Sequence, residues 1–273
     1  MTSFLLVITL LLILAYGAFS WHFIGHWRGV GILPRHPRRE HLLLGVLLLL
    51  HAMAVMGPLR EGALLSLGVG RALSVLVWLM LLIYWTCGFF YRVEGLQLFM
   101  MPLAVATLAF SLLFPGEHLL GDLSNPALLL HILVSMLAYS LLAIGALVAL
   151  LMLALDKALH DKRWITLVRQ LPPLLSLETM MFQVLGVGFL LLTASLFSGV
   201  VFSEEVFGKP AAWSHKIVFS IMAWGLFGAL LVGRKLYGWR GKLAVRWTLI
   251  GFVALMFAYV GSKVVLELVL HRS

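Results

Sequence analysis

Eight long apolar stretches, separated by short polar segments, fill most of the 273-residue chain. They run over residues 4–19, 42–56, 72–91, 96–114, 127–155, 179–201, 212–232 and 247–266. A helix needs about 20 predominantly apolar residues to cross the roughly 30 Å hydrocarbon core of a bilayer. Runs of this length satisfy their backbone hydrogen bonds as helices rather than as barrel strands. The pattern therefore predicts an all-α fold: a polytopic membrane helix bundle with about eight transmembrane helices.

The composition agrees with a membrane protein and leaves little room for a soluble part. Hydrophobic residues make up 62% of the chain and charged residues 11%, against about 25% charged in an ordinary soluble domain. The longest polar connection, residues 156–178, is too short for a separate soluble domain. We therefore expect a single transmembrane domain over residues 1–273, in which the short second helix begins before Leu42, near His41.

The distribution of basic residues predicts how the chain crosses the membrane. If the N-terminus faces outward, the inner segments hold 14 of the 20 Lys and Arg residues and the outer segments hold 6. Basic residues accumulate on the cytoplasmic side. We therefore expect both termini to face outward. The net charge of +9 then reflects topology, and no nucleic-acid partner is predicted. The inner basic residues are Arg28, Arg35, Arg38, Arg39, Arg92, Lys157, Lys162, Arg163, Arg169, Arg234, Lys235, Arg240, Lys242 and Arg246.

A single cysteine, Cys87, lies inside the third apolar stretch. One cysteine cannot form an internal disulfide, a Cys-x-x-Cys pair or a Cys-x-x-Cys-His haem attachment site. The chain is therefore predicted neither to perform dithiol chemistry nor to be a c-type cytochrome.

Histidines within the apolar stretches are the main candidates for chemistry. His51 lies about two-thirds of the way along the second stretch, His131 near the outer end of the fifth, and His215 opens the seventh. His131, Ser135 and Tyr139 are spaced four residues apart, so they share one face of a helix. Polar residues in a membrane usually face the bundle interior, a partner or a cavity.

Two interpretations of these histidines stay open from the residues alone. A neutral imidazole is a common axial ligand of haem iron, and helix bundles hold haem in their cores; Ser135 would then orient the ring or receive a propionate. Alternatively, the side chains form hydrogen bonds between helices, commonly worth about 0.6 kcal/mol each. A further pair, His22 and His26, has a spacing that could hold a metal, but the adjacent Trp21 and Trp27 are typical of interface anchors.

Small residues in the sixth and seventh stretches predict close helix packing. The positions are Gly186, Gly188, Thr193, Ser195, Ser198 and Gly199 in the sixth stretch, and Gly225 and Gly228 in the seventh. No phosphate-binding loop, zinc-protease motif or nucleophile paired with a base is present in the sequence. We therefore expect a protein that is not an enzyme.

Several segments together resemble the cytochrome c assembly family, the CcsA/CcmC-type membrane haem handlers. They are the helix from Leu130 through His131, Ser135 and Tyr139 to Leu142; the run Leu171-Pro-Pro-Leu-Leu-Ser-Leu-Glu178 that leads to Gly186-Val-Gly-Phe-Leu-Leu-Leu-Thr193; and Gly238-Trp-Arg-Gly241 followed by Ala258-Tyr-Val-Gly261. The resemblance covers about residues 60–271. It implies that two additional N-terminal helices, within residues 4–56, precede a family-like core.

The chain also departs from the haem-presenting members of that family. Their outer loop is rich in tryptophan and ends in Trp-Asp-Pro, whereas residues 203–216 here contain one tryptophan and no Trp-Asp. This shorter loop is similar to that of the YpjD/HemX-type branch of inner-membrane proteins. The resemblance matches His131 to the family's first outer haem histidine and His271 to within about one position of the second. A deep family histidine is replaced by Val232-Gly233.

The leading hypothesis, which the resemblance implies, is a multi-pass protein of the bacterial inner membrane, of the cytochrome c assembly superfamily, with both termini in the periplasm. It would bind or handle haem b in the outer, periplasmic half of the bundle, in contact with the lipid bilayer. His131 would be the principal ligand to the haem iron, and the second would be His51, His215 or His271. A haem acceptor or another membrane protein would be its partner. The alternative is a haem-free accessory or regulatory subunit of a membrane partner such as an ion transporter.

Overall fold

A computed structural model describes residues 3–31, 33–56, 68–91, 95–114, 125–160, 171–201 and 215–258. These residues form eight α-helices and no strand, and the predicted all-helical polytopic bundle is confirmed. The helices are α1 (Ser3–Trp27), α2 (Pro37–Met56), α3 (Val69–Cys87), α4 (Gln97–Leu113), α5 (Pro126–His160), α6 (Leu174–Val201), α7 (His215–Tyr237) and α8 (Gly241–Met256).

Six of the helices are long and apolar enough to cross a membrane: α1, α2, α3, α5, α6 and α7. α4 is apolar but has 17 residues. The eighth predicted stretch extends to residue 266, beyond the described residues, and its described part is α8. The described helices thus follow the predicted stretches one for one.

Proline, asparagine and glutamate residues mark where several helices begin. α2 begins at Pro37, ahead of Leu42 as expected, and the Glu40 carboxylate accepts a hydrogen bond from the His36 backbone N–H (3.0 Å). Pro126 opens α5, and the side-chain oxygen of Asn125 accepts the Ala127 N–H (2.9 Å). Proline suits the first helical position because its missing N–H has no partner there in any case, and Asn is a favoured cap. These local signals set the helix starts.

The chain folds as two compact units. Unit 1 comprises residues 1–117 and 154–173, and unit 2 comprises residues 118–153 and 174–273. The boundary therefore falls within α5, after Leu153. The expectation of a single transmembrane domain stays a prediction.

In unit 1, α1 packs against α2 and α4, and α3 packs against the same two helices. Two indoles join α2 to α3, since Trp78 Nε1 donates to the Leu48 carbonyl (2.9 Å) and Trp85 Nε1 donates to the His41 carbonyl (3.0 Å). The imidazole of His41 also stacks on Trp85, with ring centroids 5.2 Å apart. These interactions fix the position of α2 along α3.

In unit 2, α7 packs against α6 and α8, and α5 lies against α6 where small residues allow it. A Cβ added at Gly188 would come within 2.9 Å of the Leu142 side chain, so close packing is confirmed there. At Gly228 the nearest atom would be in Phe189, at 3.4 Å. The expectation is wrong for Gly186 and Gly225, where an added Cβ would have no neighbour within 4 Å. Those two glycines lie on faces that other described helices do not cover.

The turn between α7 and α8 contains the Gly-Trp-Arg-Gly segment. Hydrogen bonds from Gly238 N–H to the Arg234 carbonyl and from Trp239 N–H to the Gly233 carbonyl, both 3.2 Å, close α7. Gly238 has φ +66°, the left-handed conformation in which glycine commonly follows the end of a helix. The Trp239 ring occupies the space of the absent Gly233 side chain, because an added Cβ would lie 2.4 Å from it.

Glu178, near the start of α6, holds the same turn from the side. Its two carboxylate oxygens accept hydrogen bonds from Arg240 Nε and from the Gly241 backbone N–H, each at 3.0 Å. The carboxylate is almost buried, whereas 61% of the Arg240 side chain is exposed. The two sequence segments that carry the family resemblance at this end of unit 2 are thus in direct contact.

Candidate functional site: two clusters around membrane histidines

His51 lies at the centre of a polar cluster in unit 1 that joins three helices. The imidazole is completely buried, as is Tyr16, and Ser74 is 2% exposed. Its Nδ1 is 3.3 Å from the Tyr16 hydroxyl on α1, and its Nε2 is 3.0 Å from the Ser74 hydroxyl on α3. Both ring nitrogens therefore have hydrogen-bond partners.

These two hydrogen bonds limit the ability of His51 to bind a metal in the conformation described. A neutral imidazole offers one donor and one acceptor, and two hydroxyls, which can each donate or accept, satisfy both. Iron ligation by His51 would require one of these hydrogen bonds to be broken in a buried site. Ligation through His51 stays a prediction, and the geometry favours a hydrogen-bonded junction of α1, α2 and α3.

His131 lies in unit 2 in a different environment. It is half-buried and lies five residues after the start of α5, with its Nδ1 2.8 Å from the Ser198 hydroxyl on α6. The Nε2 atom has no hydrogen-bond partner among the residues that the structure describes. The ring is therefore held through one nitrogen, and the other is available.

The surrounding hydrogen bonds indicate which nitrogen carries the proton. The Ser198 hydroxyl donates to the Ser195 backbone carbonyl (3.1 Å). A hydroxyl has one hydrogen to give, so we assign Nδ1–H of His131 as the donor to Ser198 Oγ. This assignment leaves an unprotonated Nε2, with its lone pair free. Such a ring, oriented through Nδ1 and free at Nε2, is the usual form of a metal-binding histidine.

The Ser135 and Tyr139 side chains extend the cluster along α5. Ser135 Oγ donates to the His131 carbonyl (2.6 Å) and lies 2.6 Å from Ser195 Oγ. Tyr139 is half-buried and hydrogen-bonds with Ser220 of α7. The predicted polar face of α5 therefore makes contacts with two neighbouring helices.

Sequence reasoning missed the α6 side of this cluster. Ser195, Ser198 and Gly199 were interpreted only as small packing residues, yet the two serines bond to the α5 face. A Cβ added at Gly199 would lie 3.3 Å from Cε1 of His131, so the glycine lets the imidazole lie against the α6 backbone. The spacing of Ser195 and Ser198, three residues apart on a helix, was the available signal.

Of the two remaining predicted ligands, His215 and His271, the structure describes only the first. His215 is the first residue of α7, as expected, and is exposed. In the antiparallel order of α5, α6 and α7, the starts of α5 and α7 lie at the same end of unit 2. His271 lies outside the described residues.

A non-haem metal site finds no support in the described part of the chain. No group of three or more His, Cys, Asp or Glu side chains lies together there in an arrangement that could hold a metal ion. His22 instead places its Nε2 3.2 Å from the Glu40 carboxylate, which also accepts from the Arg35 guanidinium at 2.8 Å. This cluster ties the end of α1 to the start of α2.

The fold and the clusters define a class: a multi-helix membrane protein with imidazoles buried between its helices. Comparison with known proteins places the chain within that class. The model of the cytochrome c assembly protein family matches residues 40–270, and the chain belongs to this family. The match begins in the first turn of α2, so it includes one of the two helices expected to precede the family-like core.

Individual relatives come from two groups. Inner membrane protein YpjD of Escherichia coli strain K12 is 34% identical over 166 residues, 61% of this chain and 62% of the relative. The cytochrome c biogenesis protein CcsA of Heterosigma akashiwo strain NIES-293 is 29% identical over 228 residues, 70% of this chain and 71% of the relative. CcsA of Chlamydomonas reinhardtii is 27% identical over 154 residues, 56% of this chain and 42% of the relative. The chain thus matches about three-fifths of the length of YpjD.

Proposed function

We propose that this chain is a multi-pass protein of the bacterial inner membrane that binds haem b in unit 2, with His131 as an axial ligand. One observation supports the proposal above the others: Nδ1 of His131 is held by Ser198, while Nε2 bonds to none of the residues that the structure describes. The family membership supports haem as the bound cofactor, because the CcsA relatives are named for cytochrome c biogenesis. The proposed role is to bind or pass on haem rather than to catalyse a reaction.

The described residues fit a non-covalently held haem. The tautomer assigned to the imidazole is the one that iron requires, and the exposed apolar side chains next to the cluster, Leu130 and Phe197, would contact a porphyrin. Covalent attachment would need a Cys-x-x-Cys-His segment, and the only cysteine is Cys87. When bound, the iron would supply a second coordination position for a partner ligand.

His215 is the better second ligand among the described histidines. It is exposed and lies at the same end of unit 2 as His131, whereas both nitrogens of His51 are occupied. The adjacent Lys216 interacts electrostatically with His131, and its ammonium group would attract an anionic haem propionate. His271 is the third candidate, on the strength of the family resemblance alone.

The proposal is tested by absorption spectroscopy of the protein purified from haem-replete cells. We expect a Soret band that disappears in His131→Gly and returns when free imidazole is added, because imidazole replaces the missing ligand without restoring the side chain. His36→Ala, which removes an exposed histidine from the segment before α2, is the control and should keep the band.

The spectrum also gives the outcomes that contradict the proposal. Wild-type protein without a Soret band excludes haem binding under those conditions. A Soret band that is unchanged in His131→Gly excludes His131 as the ligand. Return of the band with imidazole separates loss of the ligand from loss of the fold.

A haem-free accessory role is the second candidate, and the serine contacts are the observation in its favour. Ser135, Ser195 and Ser198 make His131 part of a hydrogen-bonded junction between α5 and α6, which is sufficient to explain a membrane histidine. In that case purification in mild detergent should give a haem-free protein with a membrane partner in fixed stoichiometry.

A further inference from the structure

The end of unit 2 opposite His131 carries exposed positive charge. Lys235 lies in the last turn of α7, Arg240 in the turn, and Arg246 in the second turn of α8, and all three are exposed. We call these three residues the basic end of α7–α8. No acidic residue occurs between positions 206 and 258.

Glu178, which bonds to Arg240, does not neutralise this surface completely. Both of its oxygens are already engaged, one by Arg240 Nε and the other by the Gly241 N–H. The bond through Nε fixes the guanidinium, while its terminal amino groups belong to a side chain that is 61% exposed. Arg240 is therefore an oriented donor whose terminal N–H groups bond to none of the described residues, and a guanidinium of this kind suits bidentate binding of a phosphate.

Aromatic and apolar side chains surround the basic end. Tyr237 is 75% exposed, and its ring centroid lies 6.4 Å from that of Trp239. Trp239 also packs against Trp247, with centroids 5.1 Å apart. Leu236 is 67% exposed on α7. Tyr and Trp are concentrated where a bilayer meets water, so this end of unit 2 has the composition typical of the headgroup level, with an exposed leucine beside it.

We propose that the basic end of α7–α8 binds the headgroup phosphate of an anionic phospholipid. Arg240 would form paired hydrogen bonds with the phosphate oxygens, Lys235 and Arg246 would add attraction, and the exposed Leu236 would contact the acyl chain. Basic pockets at the ends of transmembrane helices bind anionic headgroups in this way. The site is separate from the His131 cluster and does not depend on haem.

Native mass spectrometry of the detergent-purified full chain tests the proposal with phosphatidylglycerol and phosphatidylcholine as ligands. We expect tighter binding of phosphatidylglycerol by the wild type. Each basic residue near a membrane surface contributes enough for about a fivefold change in affinity. The affinity of the triple variant Lys235→Gln/Arg240→Gln/Arg246→Gln for phosphatidylglycerol should therefore be about 100-fold lower.

A matched control removes the same charge elsewhere. Arg28, Arg38 and Arg39 are exposed at the ends of α1 and α2, and their triple replacement by Gln should leave the strong site intact. Since Arg240→Gln also removes a bond to Glu178, the double variant Lys235→Gln/Arg246→Gln provides a version that keeps this bond. Its affinity for phosphatidylglycerol should be about 25-fold lower than that of the wild type.

Three results would overturn the proposal. The first is equal affinity of the wild type for the two lipids. The second is an equal loss in the variant and control triples, which would indicate general attraction by net charge. The third is displacement of phosphatidylglycerol by millimolar inorganic phosphate, which would indicate a site for free phosphate rather than for a lipid.

Discussion

His51 and His131 are the same side chain in two membrane units, but their ring nitrogens have different neighbours. His51 is completely buried, and hydroxyls from α1 and α3 engage both nitrogens. His131 is half-buried, and α6 engages one nitrogen only. The comparison teaches that location in an apolar helix does not distinguish a ligand from a structural residue. Under the proposed function, the number of hydrogen-bond partners around the ring makes that distinction.

The largest expected effect is on stability and comes from His51→Ala. The change removes two hydrogen bonds, each worth about 0.6 kcal/mol and at most about 1.7 in a membrane, and leaves a cavity. We expect a loss of about 2–3 kcal/mol in the free energy of unfolding, measured by SDS titration in mixed micelles. Haem content per folded protein should not change. A loss of haem without a loss of stability would indicate that His51 is the haem ligand and that His131 has the structural role.

Ser198→Ala should weaken haem binding by about tenfold, because loss of a residue that orients a ligating histidine typically costs 10–100-fold in affinity. Haem titration of the apoprotein, followed by the Soret band, measures the effect. Ser198→Thr keeps the hydroxyl and is the control. An unchanged affinity in Ser198→Ala would show that the Nδ1 contact does not orient the ligand.

Tyr16→Phe tests the longer of the two hydrogen bonds made by the His51 ring. It removes the hydroxyl and retains the buried ring, so the expected destabilisation is about 0.6 kcal/mol. Thermal unfolding in detergent, compared with Ser74→Ala at the other nitrogen, measures the difference. A loss as large as that of His51→Ala would mean that Tyr16 has a role outside this cluster.

Gly199→Ala should produce the smallest effect. The new methyl group would meet Cε1 of His131 at 3.3 Å, a contact that a shift of a few tenths of an ångström relieves. We expect a small displacement of the Soret maximum and a change in haem affinity of about twofold or less, which corresponds to about 0.4 kcal/mol. The matched variant is Gly186→Ala, which has open space and should not alter the spectrum.

The sequence predicted the helices well because each had to be apolar over a bilayer's width. The eight described helices follow the eight predicted stretches, and the starts at Pro37 and Pro126 follow from local capping. The His131, Ser135, Tyr139 face was also predictable from four-residue spacing. Each of these features depends on residues close together in the chain.

The contacts of the histidines were not predictable in the same way. His51 meets Ser74 and Tyr16 across 23 and 35 residues, and His131 meets Ser198 across 67. Helical periodicity gives the direction of a side chain on its own helix but not the neighbour that it meets. For the same reason Gly186 was misinterpreted, since a small residue allows close packing but does not provide the second helix.

The bond between Glu178 and the Arg240–Gly241 turn has a consequence for the order of events during synthesis. The acid precedes the Gly241 N–H by 63 residues, which at about 5–20 residues per second is an interval of about 3–13 s. During that interval the carboxylate lacks both of these donors. Helix α6 therefore acquires this anchor only after α7 and the turn that follows it have been synthesised.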